Sequence, residues 1–358
     1  MSIEDIIRPE VRALRAYRVE KTSCLAKLDA NESPFSLPRS LQAELCASLA
    51  NVPFHRYPDP DAERLRKTIA SRLHVSPSLV MVGNGSDELI QILLFALGEP
   101  GATVLSPIPT FSMYELTSRA LGLRFQGIPL GSHFQLDLDH ILEIVQKEAP
   151  KLVFLASPNN PTGNCFAEQE ILAVAEATRG LVVADEAYFP YSRRTVLPSL
   201  EQHENLVVLR SLSKVGLAGL RVGFLIASER LLAELNKVRL PYNVNVLSQW
   251  AAELVLSRWE AIEPLIEEAI KERDRLYHAM AQMPEVEVFP SEANFLLFRT
   301  RRNARLIYRS LLEEGVLIRD LSEVPGLERC LRVTVGTPQE NDLFLESLTK
   351  SVKKMEGG

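Results

Sequence analysis

The stretch Leu206-Val207-Val208-Leu209-Arg210-Ser211-Leu212-Ser213-Lys214 is an apolar run that ends in two serines and a lysine. Four consecutive branched aliphatic residues read as a buried strand, which puts Lys214 just beyond its carboxyl end. Downstream lies Arg221-Val222-Gly223-Phe224. Upstream, Leu181-Val182-Val183-Ala184 is a second run of the same kind, closed by Asp185. A lysine and an aspartate that each close a strand of one sheet can hold the two ends of a pyridine ring. The amine condenses with an aldehyde, and the carboxylate pairs with the ring nitrogen. This pairing points to pyridoxal phosphate as cofactor.

The chain has 358 residues, enough for a large domain and a smaller one, each with its own core. With 40 Lys and Arg against 46 Asp and Glu, the net charge is −6, which argues against nucleic-acid binding. No apolar stretch is long and charge-free enough to cross a membrane. The start, Met1-Ser2-Ile3-Glu4-Asp5, is acidic and lacks a signal-peptide pattern, so a cytoplasmic location is expected. Cys24, Cys46, Cys165 and Cys330 are scattered, with no paired spacing, so neither a metal site nor a disulfide framework is expected.

Strands and helices alternate along the chain. Leu65, Ile69 and Leu73 share one face of a predicted helix over 61–73. Val80-Met81-Val82 reads as a strand and Ser86 to Leu97 as a helix with Ser86 at its N-cap. Strands are also expected at 103–105, 123–125, 151–156, 181–184, 206–209 and 222–227. Near-continuous apolar runs favour an α/β fold with a mostly parallel sheet covered by helices on both faces. A long helical stretch from Asn245 to about Met280 is interrupted by Pro264. Beyond it, strands at 286–288, 294–298, 316–318 and 331–335 and helices at 303–314 and 339–353 make a smaller α+β unit. The expected division is 45–275 for the large domain, and 1–44 with 276–358 for the small one.

Three loops can carry chemistry. Gly83-Asn84-Gly85-Ser86-Asp87-Glu88 joins a strand to a helix. Its glycines allow close approach of a ligand, and free N–H groups at the helix start favour an anion. The carboxylates of Asp87 and Glu88 would repel a phosphate, so the backbone is the expected donor; the same residues also make an ordinary turn and cap. Ser157-Pro158-Asn159-Asn160-Pro161-Thr162-Gly163 forms a sharp loop at the edge where open α/β sheets bind ligands. Asp185-Glu186-Ala187-Tyr188 closes another strand. Each segment alone is also compatible with a plain turn. Their occurrence in order, on strand ends of one sheet, favours a site.

These motifs resemble the pyridoxal-phosphate-dependent aminotransferases of fold type I, in the class-II branch that contains histidinol-phosphate aminotransferase. Leu28-Asp29-Ala30-Asn31-Glu32-Ser33-Pro34, Arg56-Tyr57-Pro58-Asp59-Pro60 and Leu331-Arg332-Val333-Thr334-Val335-Gly336-Thr337 extend the resemblance over nearly the whole chain. It implies that Lys214 is the Schiff-base lysine and the base that moves the substrate's proton. It implies Asp185 for the ring nitrogen, Asn160 and Tyr188 for the phenolate oxygen, and Phe111 stacked on the ring. Gly85, Ser86 and Asp87, with Ser211, Ser213 and Arg221, correspond to the phosphate cradle. Tyr57 resembles a tyrosine that reaches the cofactor phosphate of a neighbouring subunit, which implies a homodimer with shared active sites.

For substrate the resemblance implies Arg332 and Arg319 as anion-binding arginines and Tyr17 near the substrate's imidazole end. Asn31 and Asn294 fall in the pocket wall. One departure is visible: six residues, Val215 to Leu220, separate Lys214 from Arg221, one fewer than in many relatives, and Gly216 and Gly219 are expected to absorb the difference. The implied activity interconverts histidinol phosphate and 2-oxoglutarate with imidazole acetol phosphate and glutamate, a ping-pong step of histidine biosynthesis. The alternatives are threonine-phosphate decarboxylation and aromatic or broad-range amino transfer. A cofactor-sensing regulator would need a DNA-binding domain ahead of this fold, and no spare N-terminal residues are expected for one.

Overall fold

A computed structural model describes residues 2–14, 16 and 22–354. A short strand β1 (Ala26–Lys27) precedes seven strands of one sheet: β2 (Val80–Gly83), β3 (Thr103–Ile108), β4 (Arg124–Pro129), β5 (Leu152–Ala156), β6 (Leu181–Asp185), β7 (Leu206–Ser211) and β8 (Gly223–Ile226). Their order across the sheet is β2-β8-β7-β6-β5-β3-β4. The neighbours from β7 to β4 run parallel, while β8 runs antiparallel to both β7 and β2. The sheet is thus mostly parallel.

The apolar runs follow from burial on both faces. Successive strand residues point to opposite sides. Val182 and Ala184 of β6 join one core with Val153, Leu155 and Val208. Val183 joins the other, with Leu152, Phe154 and Val207. Helices cover each side, so the interior residues of these strands are buried on both faces and read as near-continuous apolar runs.

The chain leaves β3 outward to β4, then crosses back to β5 and continues to β6 and β7. The reversal at β3 opens a crevice between the loops that follow β3 and β5, beyond the strands' carboxyl ends. The functional loops are gathered there.

Some elements differ from expectation. Ser86 is the first helical residue of Ser86–Leu97, and the cap position falls to Gly85 at φ +83. A side chain is disfavoured at that φ, so the serine cannot hold the cap. The stretch after Asn245 is two helices, Val246–Ser257 and Glu263–Ala281, with Pro264 in the first turn of the second. There its missing N–H costs no helical hydrogen bond.

The remaining strands are β9 (Val286–Val288), β10 (Phe295–Thr300), β11 (Val316–Leu317), β12 (Arg319–Asp320) and β13 (Cys330–Thr334). The order β12-β13-β10-β9 makes an antiparallel sheet, and β1 pairs in parallel with β11. The expected single strand at 316–318 is therefore split, with Ile318 as the pivot between two sheets. This unit has its own core, which includes Ala26 and Leu28 from the N-terminal side. Among the described residues, no helix is long and apolar enough to cross a membrane, and no cluster of His, Cys, Asp or Glu could hold a metal ion.

Candidate active site

A cleft of about 530 Å³ lies at the carboxyl ends of β3, β5, β6 and β7. The second sheet supplies Arg319 and Arg332 to its wall, and the segment after β1 supplies Asp29, Ala30 and Asn31.

One end of the cleft is an anion cradle. The Ser211 hydroxyl donates to Ser213 Oγ at 2.9 Å, and the Ser213 N–H donates to Ser211 Oγ at 3.1 Å. Arg221 Nη1 donates to Ser213 Oγ at 3.4 Å, and Nη2 reaches Asp87 Oδ2 at 2.9 Å. Ser86 and Asp87 open the helix Ser86–Leu97, so their N–H groups belong to its unsatisfied first turn. Neither acidic side chain spoils the cradle. Asp87 is neutralised by Arg221, while Glu88 turns back to accept from the Asn84 N–H and Asn243 Nδ2, both at 2.6 Å. Two hydroxyls, a guanidinium and a helix start fit a phosphate group.

Glycine keeps this corner tight. A Cβ on Gly85 would lie 2.8 Å from Arg221 Nη2, and one on Gly223 would lie 2.4 Å from the Ser86 nitrogen. The short loop between Lys214 and Arg221 uses positive φ at Gly216 (+91) and at Arg221 itself (+52). Gly219 stays outside that region, so of the two glycines only Gly216 contributes in this way.

The middle of the cleft holds the groups that would face a ring. Asp185 is 5 % exposed, and burial pushes its carboxyl up to about 6 despite hydrogen bonds that favour the charged form. Its Oδ1 accepts from the Ala187 N–H at 3.0 Å, and its Oδ2 accepts from the Tyr114 hydroxyl at 2.5 Å. Phe111 lines the cleft between the β3 loop and the helix Met113–Ala120. The Tyr188 hydroxyl accepts from Asn31 Nδ2 at 2.8 Å, and its ring packs edge-on against Phe295. Lys214 Nζ sits 5.6 Å from the centroid of the Tyr188 ring. The Lys214 carbonyl accepts from the buried Tyr191 hydroxyl at 2.6 Å, which ties down the backbone from which the amine projects.

The outer wall is basic. Arg319 and Arg332 are register partners on β12 and β13, so both project from one face of that sheet. Arg332 Nη1 donates to Asn160 Oδ1 at 2.5 Å and Nη2 to the Asp29 carbonyl at 2.7 Å. This turns the amide nitrogen of Asn160 away from Arg332. Asn31, at φ +54, is fixed by its N–H to Thr334 Oγ1 and by Asn294 Nδ2 to its carbonyl.

Two expected residues lie elsewhere. Tyr57 is 80 % exposed, stacks on Tyr242 at 4.6 Å and does not line this chain's cleft. Tyr17 lies outside the described residues. Three supports escaped the sequence reading: Tyr114 behind Asp185, Tyr191 behind Lys214, and Asn159, whose amide bridges the Pro109 carbonyl and Thr162 Oγ1. Tyr114 and Tyr191 carried no signal in sequence, since their partners lie 71 and 23 residues away.

The family model "Aminotransferase class I and II" matches residues 25–348. Histidinol-phosphate aminotransferase 2 of Nitrosococcus oceani is 45% identical over 345 residues, 96% of each chain. Histidinol-phosphate aminotransferase of Aquifex aeolicus is 43% identical over 98% of this chain and 99% of its own. Among solved structures, histidinol-phosphate aminotransferase from Sinorhizobium meliloti in complex with pyridoxal-5'-phosphate superposes with a TM-score of 0.88, at 25% identity and over 98% of each chain. With a family match this long on a fold and cleft of this kind, the chain belongs to the class I and II aminotransferases.

Proposed function

We propose that this chain is a pyridoxal-phosphate-dependent histidinol-phosphate aminotransferase, exchanging the amino group of histidinol phosphate with 2-oxoglutarate. The observation that carries the reading is the joining, in one cleft, of an anion cradle, a buried carboxylate, a lysine and two arginines on the opposite wall. Relatives of that name, similar over nearly the full length, support the substrate.

Bound pyridoxal phosphate would supply an aldehyde that condenses with amines and a ring that accepts the electrons released at the substrate's Cα. The chain's residues divide the remaining work. Ser211, Ser213, Arg221 and the helix start at Ser86 and Asp87 would hold the phosphate. Asp185 would keep a proton on the ring nitrogen. Asn160 and Tyr188 would serve the ring's oxygen, and Phe111 would pack against the ring. Lys214 would supply the amine for the aldehyde. Lys214 Nζ would also be the base placed to take the proton from the substrate's Cα and to return it. Arg332 and Arg319 offer planar donors to the substrate's anionic group, a phosphate in one half-reaction and a carboxylate in the other.

We also infer a homodimer with shared active sites and a cytoplasmic location. Tyr57, Leu240 and Phe54 are 80%, 70% and 63% exposed, which supports an apolar contact face near Tyr242. Tyr17 is assigned to the substrate's imidazole end by resemblance. A division into two units is supported by the separate sheets and cores; of the expected bounds at 45–275, with 1–44 and 276–358 as the small domain, Leu41 packs in the large core and the helix Glu263–Ala281 runs through the boundary at 275.

The test is a steady-state assay of the purified protein with pyridoxal phosphate and 2-oxoglutarate, comparing histidinol phosphate, threonine phosphate and aromatic amino acids as donors. Glutamate formation fastest with histidinol phosphate is the expected outcome. Carbon dioxide release from threonine phosphate, or preference for an aromatic donor, would replace the reading with one of its alternatives.

A further inference from the structure

We propose that Tyr114 is a positioning residue for the cofactor, fixing the carboxylate of Asp185 through its hydroxyl and the ring of Phe111 through its edge. The inference rests on the cofactor reading above and adds a residue that touches neither substrate nor reacting atoms.

Tyr114 is fully buried in the helix Met113–Ala120, behind the cleft wall. Its ring lies flat on Phe154 of β5, with centroids 4.4 Å apart and planes 7° apart. Phe111 meets it edge-on at 5.6 Å and 84°. Phe154 is itself fully buried in a central strand, so the tyrosine is clamped by the sheet. A phenylalanine would satisfy the same packing. A buried hydroxyl is unfavourable unless hydrogen-bonded, and this one is aimed at Asp185 Oδ2 at 2.5 Å.

The consequence lies in the carboxylate. Tyr114 and the Ala187 N–H each donate to a different oxygen of Asp185, which fixes the plane of the group. The lone pairs left over can face a ring N–H. Burial and the neighbouring carboxylate push the Tyr114 hydroxyl well above its usual range, so it remains a donor at any working pH. Burial and Asp87 favour protonated Asp185, whereas Tyr114, the Ala187 N–H and Lys214 favour the ionised form. Tyr188 also bears on Tyr114 by charge. Removing the Tyr114 donor therefore favours a neutral carboxyl, which offers less to a protonated ring nitrogen. It also frees the carboxyl to rotate.

The test is Tyr114→Phe in the full chain, with pyridoxal-phosphate affinity measured by absorbance titration of the cofactor-free protein. We expect binding weakened roughly tenfold to a hundredfold, the range of a hydrogen bond to a charged group. kcat should fall by about as much, with KM for the amino donor changed less than about twofold. In an Asp185→Asn background the same substitution should change affinity less than about twofold, because Tyr114 acts through that carboxylate. Unchanged affinity and kcat in the single variant would reduce Tyr114 to core packing. A full additional loss in the Asp185→Asn background would show action independent of Asp185 and also overturn the proposal. If the unsubstituted protein itself fails to bind pyridoxal phosphate, the site reading falls first, and this inference with it.

Discussion

Asp185 is a buried carboxyl whose charge costs stability. Its usual value is 3.8 and burial lifts it to about 6 in the folded chain without cofactor. Between those values the folded chain holds a proton that the unfolded chain has released. This residue's contribution to stability therefore falls as pH rises through that window and is least favourable above it. Asp185→Asn removes the cost of the buried charge. The cofactor-free variant should be more stable than the unsubstituted protein at pH 7.5 by on the order of 1–3 kcal/mol, with little gain at pH 4. Chemical unfolding at the two pH values checks this, and a variant destabilised equally at both would contradict it. The motif residues were legible because each sits at the end of an apolar run: Lys214, Asp185, Ser211 and Asn160 are marked by local sequence. Tyr114 was not, because its partner lies 71 residues away and only folding joins them.

At the scale of elements, β6 and β7 are locked together right beside the residues they present. Glu186 follows Asp185, and Arg210 precedes Ser211. Arg210 donates to Glu186 Oε2 from Nε at 3.0 Å and from Nη2 at 2.8 Å. The side chains are 6 % and 2 % exposed. Glu186 Oε1 also accepts from the Val196 N–H, and Arg210 stacks over Phe189 at 3.6 Å. Removing one partner leaves a buried charge alone. Arg210→Met should lower the stability of the cofactor-free protein by about 3–5 kcal/mol, and adding Glu186→Leu should recover much of the loss. A single substitution as mild as one at an exposed pair such as Arg64–Glu253 would refute this account of the pair. Strands β5, β6 and β7 were readable because both faces are covered, whereas the direction of β8 was not, since an apolar run carries no polarity. The split at Ile318 was hidden for a similar reason: a single buried residue serves two sheets.

At the scale of the molecule, the cleft is a meeting of two sheets. The parallel sheet offers strand ends and a helix start, and the antiparallel sheet offers Arg319 and Arg332 from one face. Both arginines were found in sequence by motif, but their pairing across β12 and β13 is a property of register. Tyr57 marks the limit of a single chain: its stretch was legible, yet its side chain is exposed and stacks on Tyr242 away from the cleft. The central claim is amino transfer in two separate halves at this cleft. The most direct measurement is product per subunit when protein saturated with pyridoxal phosphate meets histidinol phosphate with no acceptor present. The account predicts about one equivalent of imidazole acetol phosphate, then, on adding 2-oxoglutarate after removal of the donor, about one equivalent of glutamate. No ketone until both substrates are present, or carbon dioxide in its place, would contradict it.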